Sequence, residues 1–176
     1  MSAINYRSGE SLGYYCQENF LTHKECDILI DYHKNYPFGL EDYYGTKDIP
    51  EDYQINAQLK NRPHSKRIRK VRTPILKRLS STFSLKLHHD ILVCWPPGSY
   101  KPMHKDLFID WVEGSGLSSI CYLNDDFGGG ETVVGDTAIP PKKGAVLAFD
   151  GLHISHGVNL ISDKPRYTYI AWWQEN

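Results

Sequence analysis

Four residues in the second half of the chain have types and spacings that suit metal chemistry. His104 and Asp106 form a His-x-Asp motif, His156 follows fifty residues after Asp106, and Arg166 lies ten residues beyond His156. Two neutral imidazoles and one carboxylate are the ligand set typical of non-haem Fe(II) oxygenases, and they leave three coordination positions open. The pattern therefore predicts that His104, Asp106 and His156 are both the metal ligands and the catalytic residues, with Arg166 available to hold an anionic co-substrate.

The strands that carry these residues must bring the three ligands together. Alternate residues of a strand share a face, so His104 and Asp106 should point into the same interior. His153 is the rival for the third position, but on a regular strand it would face away from His156, and we favour His156. Each residue alone could have a structural role, but a buried carboxylate without a partner is costly, and a metal is its natural partner.

The last strand predicts where a co-substrate would bind. 2-Oxoglutarate chelates iron through its keto-acid end and leaves a carboxylate at its far end, which a guanidinium can hold bidentately. Arg166 and Thr168 share a face of this strand, and Tyr122 lies on another strand. We expect Arg166, helped by Thr168 and Tyr122, to bind the far carboxylate, with core packing as the alternative for Tyr122 and a surface ion pair as the alternative for Arg166.

Composition sets the broad class. The chain has 176 residues, 40% of them hydrophobic, and a net charge of −1, which suits one domain over residues 1–176 with a sizeable core. No apolar run is long enough to cross a membrane, and the N-terminus lacks the apolar segment of a secretory signal. The four cysteines form no C-x-x-C pair, so we expect free thiols, mostly buried, in a reducing, cytoplasmic compartment.

The first half of the chain predicts helices and a long loop. Thr22 and Glu25 form a capping-box signature, which predicts a helix from about 23 to 35. Residues 36–58 are rich in Tyr, Asp, Gly and Pro without clear periodicity, which predicts a long loop or lid. Residues 60–78 hold nine of the twenty Lys and Arg and no acidic residue. Their apolar residues recur at helical spacing, so we favour an amphipathic helix with a solvated charged face over a surface that binds nucleic acid or an acidic peptide.

From about residue 86 onward the pattern changes to short strands separated by turns. The predicted strands are Leu87–Trp95, Lys101–Phe108, Leu117–Leu123, Glu131–Val134, Ala145–Phe149, Ile154–Asn159 and Arg166–Trp173. Helices first and strands later predict a mainly β fold with N-terminal helices, namely a jelly roll supported by helices. In this division, residues from about 1 to 85 form the helical support and lid loop, and residues from about 86 to 176 form the jelly-roll core.

The motifs taken together resemble the prolyl 4-hydroxylase-like family of 2-oxoglutarate- and Fe(II)-dependent dioxygenases. The resemblance spans most of the chain and rests on five segments in order: Asn19-Phe-Leu-Thr-His-Lys-Glu-Cys-Asp, the Gly-Ser-Tyr run before His104, Tyr122-Leu-Asn followed by Gly-Gly-Glu-Thr, Pro141-Lys-Lys-Gly, and His156-Gly-Val leading to Arg166 and Trp172. It implies a double-stranded β-helix with iron on His104, Asp106 and His156. It also implies that Arg166 and Tyr122 bind 2-oxoglutarate, and that O2 is used to hydroxylate a C–H bond with release of succinate and CO2.

The chain departs from this family at two places near the site. The family often has a Tyr about ten residues before the first metal His, where this chain has Cys94 and Trp95, and Tyr100 lies four residues before His104 where three is usual. These departures concern the contacts to the iron-bound end of 2-oxoglutarate.

The sequence is compatible with four functions. We favour hydroxylation of a peptidyl residue, with proline as the leading candidate by analogy and ascorbate as an optional reductant. The alternatives are the same chemistry on a free amino acid or other small molecule, a nucleic-acid-directed oxygenase, and, last, a non-catalytic jelly-roll binding protein. Candidates for lining a substrate cleft are Trp111, Trp172, Tyr43 and Tyr44, but the sequence assigns no substrate contact and no oligomeric state.

Overall fold

The computed structural model describes residues 13–46, 49–106 and 116–175, and for residues 42–46 and 49 it describes the backbone only. Two helices and thirteen strands fall in these ranges. In chain order they are β1 Tyr14–Gln17, α1 His23–Lys34, β2 Glu41–Thr46, β3 Ile49–Gln58, α2 Lys66–Phe83, β4 Lys86–Trp95, β5 Lys101–His104, β6 Leu117–Tyr122, β7 Gly128–Gly129, β8 Thr132–Val134, β9 Thr137–Ile139, β10 Val146–Asp150, β11 His156–Val158, β12 Ile161–Ser162 and β13 Arg166–Gln174.

The two larger of the three sheets in the described residues face each other. The major sheet has seven strands in the order β1-β10-β6-β13-β4-β3-β2, and the minor sheet has four in the order β5-β11-β8-β9. Side chains from both sheets share two apolar clusters, in one of which Tyr122 and Phe149 meet Val134 and Ile139. Mainly antiparallel strands in two packed sheets form the predicted jelly roll.

The two helices cover the other face of the major sheet. Along β4, Ile91, Val93 and Trp95 point between the sheets, while Leu92 and Cys94 point toward the helices. Because both faces of this strand are covered, it is a continuous apolar run. Neither described helix is both long enough and apolar enough to span a membrane.

Both predicted helices are confirmed. Thr22 caps α1, where its hydroxyl accepts from the Glu25 N–H while the Glu25 carboxylate accepts from the Thr22 N–H. The basic segment forms α2, which buries the apolar stripe Ile68, Val71, Ile75 and Leu79. Three of its arginines form ion pairs within the fold, namely Arg67 with Asp31, Arg72 with Asp90 and Arg78 with Glu25.

The predicted lid loop at 36–58 is wrong. Residues 41–46 and 49–58 form the hairpin β2–β3, which extends the major sheet beside β4. Ile55 and Ala57 of β3 face the helix side, whereas Gln54 and Asn56 are buried on the side of the minor sheet. Because polar residues occupy buried positions of β3, the segment lacks the alternation of apolar and polar residues that predicts a strand. Residues 1–85 are therefore not only helical support, since β1, β2 and β3 all join the major sheet.

Candidate metal and co-substrate site

The three predicted metal ligands converge. His104 and His156 are directly opposite each other on the antiparallel pair β5–β11, and their ring centroids are 4.2 Å apart. Asp106 lies two residues past the end of β5 instead of on the strand, yet its Oδ1 is 3.6 Å from His104 Nε2 and 3.4 Å from His156 Nε2. One ligand atom from each residue lies within 4.8 Å of the others, which is a spacing that a metal ion can bridge.

Backbone contacts fix which nitrogen of each histidine faces the site. His104 Nδ1 is 2.9 Å from the Pro102 carbonyl oxygen, and His156 Nδ1 is 3.0 Å from the Ile154 carbonyl oxygen. A carbonyl only accepts hydrogen bonds, so each Nδ1 carries a proton, and Nε2 is the ring nitrogen that faces Asp106. A hydrogen bond from Nδ1 to a backbone carbonyl is the kind that orients a metal-binding imidazole.

Neighbouring side chains hold the Asp106 carboxylate in place. Ser118 Oγ and Trp172 Nε1 donate to Oδ2 at 2.5 and 3.2 Å, so Oδ1 is the oxygen that faces the histidines. Burial raises the pKa of this carboxyl, but His104, His156 and Ser118 lower it by more. The pKa therefore lies well below the ordinary value, and Asp106 is ionised at neutral pH.

A glycine allows Asp106 to approach. The Gly151 carbonyl oxygen accepts from the Asp106 N–H at 2.8 Å. A Cβ at position 151 would lie 2.4 Å from both Asp106 Oδ2 and Ser118 Oγ, which is too close for any side chain.

The rival ligand lies elsewhere. His153 is exposed, and its Nδ1 is 2.8 Å from Asp150 Oδ2, so it is not part of the cluster. Of the candidates for a substrate cleft, Trp172 contacts Asp106, while Trp111 and the side chains of Tyr43 and Tyr44 lie outside the described residues.

Arg166 is a buried cation without a carboxylate partner among the described residues. It is 1% exposed, and its Nε has no hydrogen-bond partner. Its Nη2 donates to Thr132 Oγ1 at 3.0 Å, and its guanidinium lies over the rings of Trp95 and Tyr122. Burial lowers the pKa of Arg166 and Tyr122 raises it, but a guanidinium remains protonated in proteins. A buried positive charge of this kind is stabilised by an anion that binds beside it.

Hydroxyl-bearing residues lie on the strands next to this guanidinium. Tyr122 Oη donates to Thr132 Oγ1 at 2.7 Å, so the Thr132 oxygen accepts from both Tyr122 and Arg166. Thr168 is fully buried and its hydroxyl has no partner in the described part of the chain. Arg166 contacts the Tyr122 ring, and Thr168 is the cross-strand partner of Tyr122, so the three residues expected to bind the far carboxylate of a co-substrate lie on neighbouring strands.

The structure describes the residues at both departures from the family pattern. Trp95 is the cross-strand partner of Arg166 and faces the space between the sheets, whereas Cys94 faces the helices. Tyr100 Oη donates to the exposed Glu51 carboxylate at 3.3 Å. Trp95 is therefore the residue of this segment that adjoins Arg166.

Sequence reasoning missed three residues that support the site: Ser118, Thr132 and Gly151. Thr132 ends the Gly-Gly-Glu-Thr motif, which was a usable signal, and Gly151 follows the strand before the last histidine. Ser118 gave none, because serines are common in strands and its contact with Asp106 depends on tertiary packing. Chemically, the arrangement can bind a divalent cation through two imidazoles and one carboxylate, with an anion nearby.

No protein-family model matches the chain, and the search of curated proteins found no relative. Solved structures match most of it. A prolyl hydroxylase from Trichoplax adhaerens, in complex with a hypoxia inducible factor peptide fragment, has a TM-score of 0.72 at 16% identity, covering 93% of this chain and 84% of that one. The viral collagen prolyl hydroxylase of Paramecium bursaria Chlorella virus-1, in a 2-oxoglutarate complex, has a TM-score of 0.68 at 18% identity, covering 93% of this chain and 96% of that one.

A third match has a different reaction. The non-haem α-ketoglutarate-dependent epimerase SnoN from nogalamycin biosynthesis has a TM-score of 0.73 at 16% identity, covering 93% of this chain and 78% of that one. Because these identities are low, the likeness concerns the fold and leaves the reaction open. The chain has the jelly-roll fold that prolyl hydroxylases share with related 2-oxoglutarate, Fe(II) oxygenases.

Proposed function

We propose that the protein is an Fe(II)- and 2-oxoglutarate-dependent dioxygenase that hydroxylates a C–H bond. One observation carries the proposal: a cluster of two histidines and one ionised aspartate shares the space between the sheets with Arg166, a buried cation that lacks a carboxylate partner in the described ranges. A metal would satisfy the first group and a dicarboxylate co-substrate the second.

The residues divide into two roles. His104 and His156 would bind iron through Nε2 and Asp106 through Oδ1, while Arg166, Tyr122 and Thr168 would hold the far carboxylate of 2-oxoglutarate. When bound, the iron lets O2 oxidise two partners: 2-oxoglutarate, which becomes succinate and CO2, and a substrate C–H bond, which becomes C–OH. Ser118 and Trp172 fix the orientation of the carboxylate that the metal needs.

We propose a prolyl residue of a peptide or protein as the substrate. The support is the likeness to prolyl hydroxylases, one of which was solved with a peptide. Access comes from the side of His104, whose side chain is 29% exposed compared with 7% for His156. A free amino acid or other small molecule is the alternative. A flexible loop at 36–58 that closes over a small ligand would favour it, but this segment contains the hairpin β2–β3. The case for a nucleic-acid substrate is weaker as well, because Arg67, Arg72 and Arg78 form ion pairs with acidic residues of the fold.

We further propose that the chain works as one domain in a reducing, cytoplasmic compartment, where iron remains ferrous and ascorbate can act as a reductant. Three of its four cysteines, Cys26, Cys94 and Cys121, are free and buried. Burial raises the pKa of Cys26 and of Cys94 to about 11, so these thiols stay protonated.

The test is succinate formation from 2-oxoglutarate under air by the Fe(II)-loaded protein. Proline-containing peptides, free amino acids and oligonucleotides would be added separately, and the product would be identified by a mass gain of one oxygen atom. Asp106→Ala should abolish turnover, and Asp31→Ala, which removes an exposed carboxylate on α1, should leave it unchanged. Undiminished 2-oxoglutarate consumption by Asp106→Ala would overturn the mechanism, and stimulation by amino acids alone would replace the peptide substrate.

A further inference from the structure

Buried polar atoms without partners concentrate on one face of the major sheet. The described residues contain five such atoms: Asn56 Oδ1, Arg78 Nε, Trp95 Nε1, Arg166 Nε and Thr168 Oγ1. All but the Arg78 atom belong to residues whose strand positions face the minor sheet. Native proteins rarely leave buried polar atoms unpaired, so four of them on one face indicate space for a polar ligand.

Strand register places these groups side by side. Thr168 and Asn56 are both cross-strand partners of Val93, and Arg166 is the cross-strand partner of Trp95. Neighbouring strands lie about 4.8 Å apart, which lets the side chains of one pair contact the same small molecule. The guanidinium of Arg166 lies 5.7 Å from the centre of a Trp95 ring, so these two residues share one end of the space.

The Trp95 indole has a donor and no acceptor. Trp95 is 2% exposed and its Nε1–H has no partner in the described structure. An indole N–H can only donate, and a carboxylate can only accept. Arg166 Nε–H and the Thr168 hydroxyl can also donate, so three of the four unpaired groups on this face match an anion. The fourth, Asn56 Oδ1, is an acceptor on β3 and takes no part in this match.

We propose that Trp95 is a co-substrate ligand, whose indole N–H donates to the far carboxylate anchored by Arg166. This inference rests on the proposed function, because it needs a dicarboxylate co-substrate. It assigns Trp95 to the end of the co-substrate remote from the metal, since its partner across the strands is Arg166 and not one of the three metal ligands. Trp95 thereby helps the site to select a dicarboxylate over a monocarboxylate keto acid.

The test compares two ligands on two variants. Zn(II) replaces iron so that no turnover occurs, and dissociation constants are measured by calorimetry for 2-oxoglutarate and for oxalate, which chelates metal but lacks a far carboxylate. Trp95→Phe keeps the ring over Arg166 and removes the N–H. Since a hydrogen bond to a charged group is worth roughly tenfold to a hundredfold in affinity, 2-oxoglutarate should bind that much more weakly while oxalate binding is unchanged.

Trp173→Phe is the matched control. Trp173 is equally buried, but its indole N–H donates to Ser119 Oγ at 2.8 Å and its ring packs in the cluster on the helix side. This variant should bind both ligands as the wild type does. Urea unfolding of both variants checks that each is folded under the assay conditions.

A second measurement needs no variant. In ¹⁵N spectra of the Zn(II)-loaded wild type, one of the four tryptophan indole N–H signals should move downfield with 2-oxoglutarate and not with oxalate. Equal binding of 2-oxoglutarate by Trp95→Phe and wild type, or an equal loss for both ligands, overturns the role of Trp95 alone. A wild type that does not bind 2-oxoglutarate overturns the proposed function as well.

Discussion

Replacing Arg166 by Met should separate stability from co-substrate binding. Arg166 is almost fully buried with an unpaired Nε and no counter-charge among the described residues, so the folded protein carries a penalty for it. An unsatisfied buried donor costs about 1–3 kcal/mol. The substitution removes this penalty but also removes the stacking on Trp95 and Tyr122, worth about 0.5–2 kcal/mol. We therefore expect the free energy of unfolding to lie between about 1 kcal/mol below and about 2.5 kcal/mol above that of the wild type.

Binding should respond very differently. Truncating one partner of a buried, hydrogen-bonded charge pair costs about 2–5 kcal/mol, which corresponds to roughly thirtyfold to several thousandfold in the dissociation constant of 2-oxoglutarate. Oxalate, which has no carboxylate for Arg166, should bind Zn(II)-loaded Arg166→Met nearly as well as it binds the wild type. Calorimetry measures both constants, and urea unfolding measures stability.

Arg72→Met is the matched control, because it makes the same substitution at an arginine that is paired with a buried carboxylate. Arg72 donates from Nε and Nη2 to both oxygens of Asp90, which is fully buried and also accepts from Tyr169. Its loss leaves an uncompensated buried carboxylate and should lower the free energy of unfolding by about 3–5 kcal/mol. If Arg166→Met is destabilised as much as Arg72→Met and retains its affinity for 2-oxoglutarate, Arg166 has a structural role and the reasoning is refuted.

Three further predictions concern the support of the site and the pH dependence of the fold. Ser118→Ala should weaken metal binding by about tenfold to a hundredfold, because Asp106 Oδ2 loses its shortest hydrogen bond; a Co(II) titration followed by absorbance measures this, and unchanged affinity contradicts it. Gly151→Ala should weaken Co(II) binding more than Ser118→Ala does, since the new Cβ displaces the carboxylate itself. Burial lowers the pKa of His33 in the folded state. As the pH falls below about 6.5, the unfolded state therefore binds a proton more readily than the folded state does, and the free energy of unfolding decreases. Urea midpoints at pH 7.5 and 5.5 should differ less for His33→Gln than for the wild type, and an equal difference would exclude His33 as a source.

The positions of the candidate ligands could be predicted because their chemistry is local. His104 and Asp106 are close in sequence. His156 lies directly opposite His104 on the neighbouring strand. The reason given for Asp106 was incomplete, since it lies beyond the end of β5 and is oriented by the Gly151 carbonyl and by Ser118. Those contacts join segments distant in sequence, and no pattern within one segment reports them.

The strand β3 shows the opposite case. Hydrophobic alternation is the usual signal for a strand, and β3 lacks it because Gln54 and Asn56 are buried toward the interior of the jelly roll. Polar residues at such positions fit poorly with a purely apolar core. Only pairing with β4 shows that this segment is part of the sheet.

The sequence by itself determined the class of the fold, the two helices and the residue types of a metal site, since periodicity, capping and motif spacing are properties of short segments. The tertiary structure decided which atoms face each other. It orients the Nε2 atoms of both histidines toward Asp106, buries Arg166 without a carboxylate among the described residues, and places the Trp95 indole beside it. These features depend on the register between strands far apart in the chain, because the packing of the two sheets is what removes Arg166 from water.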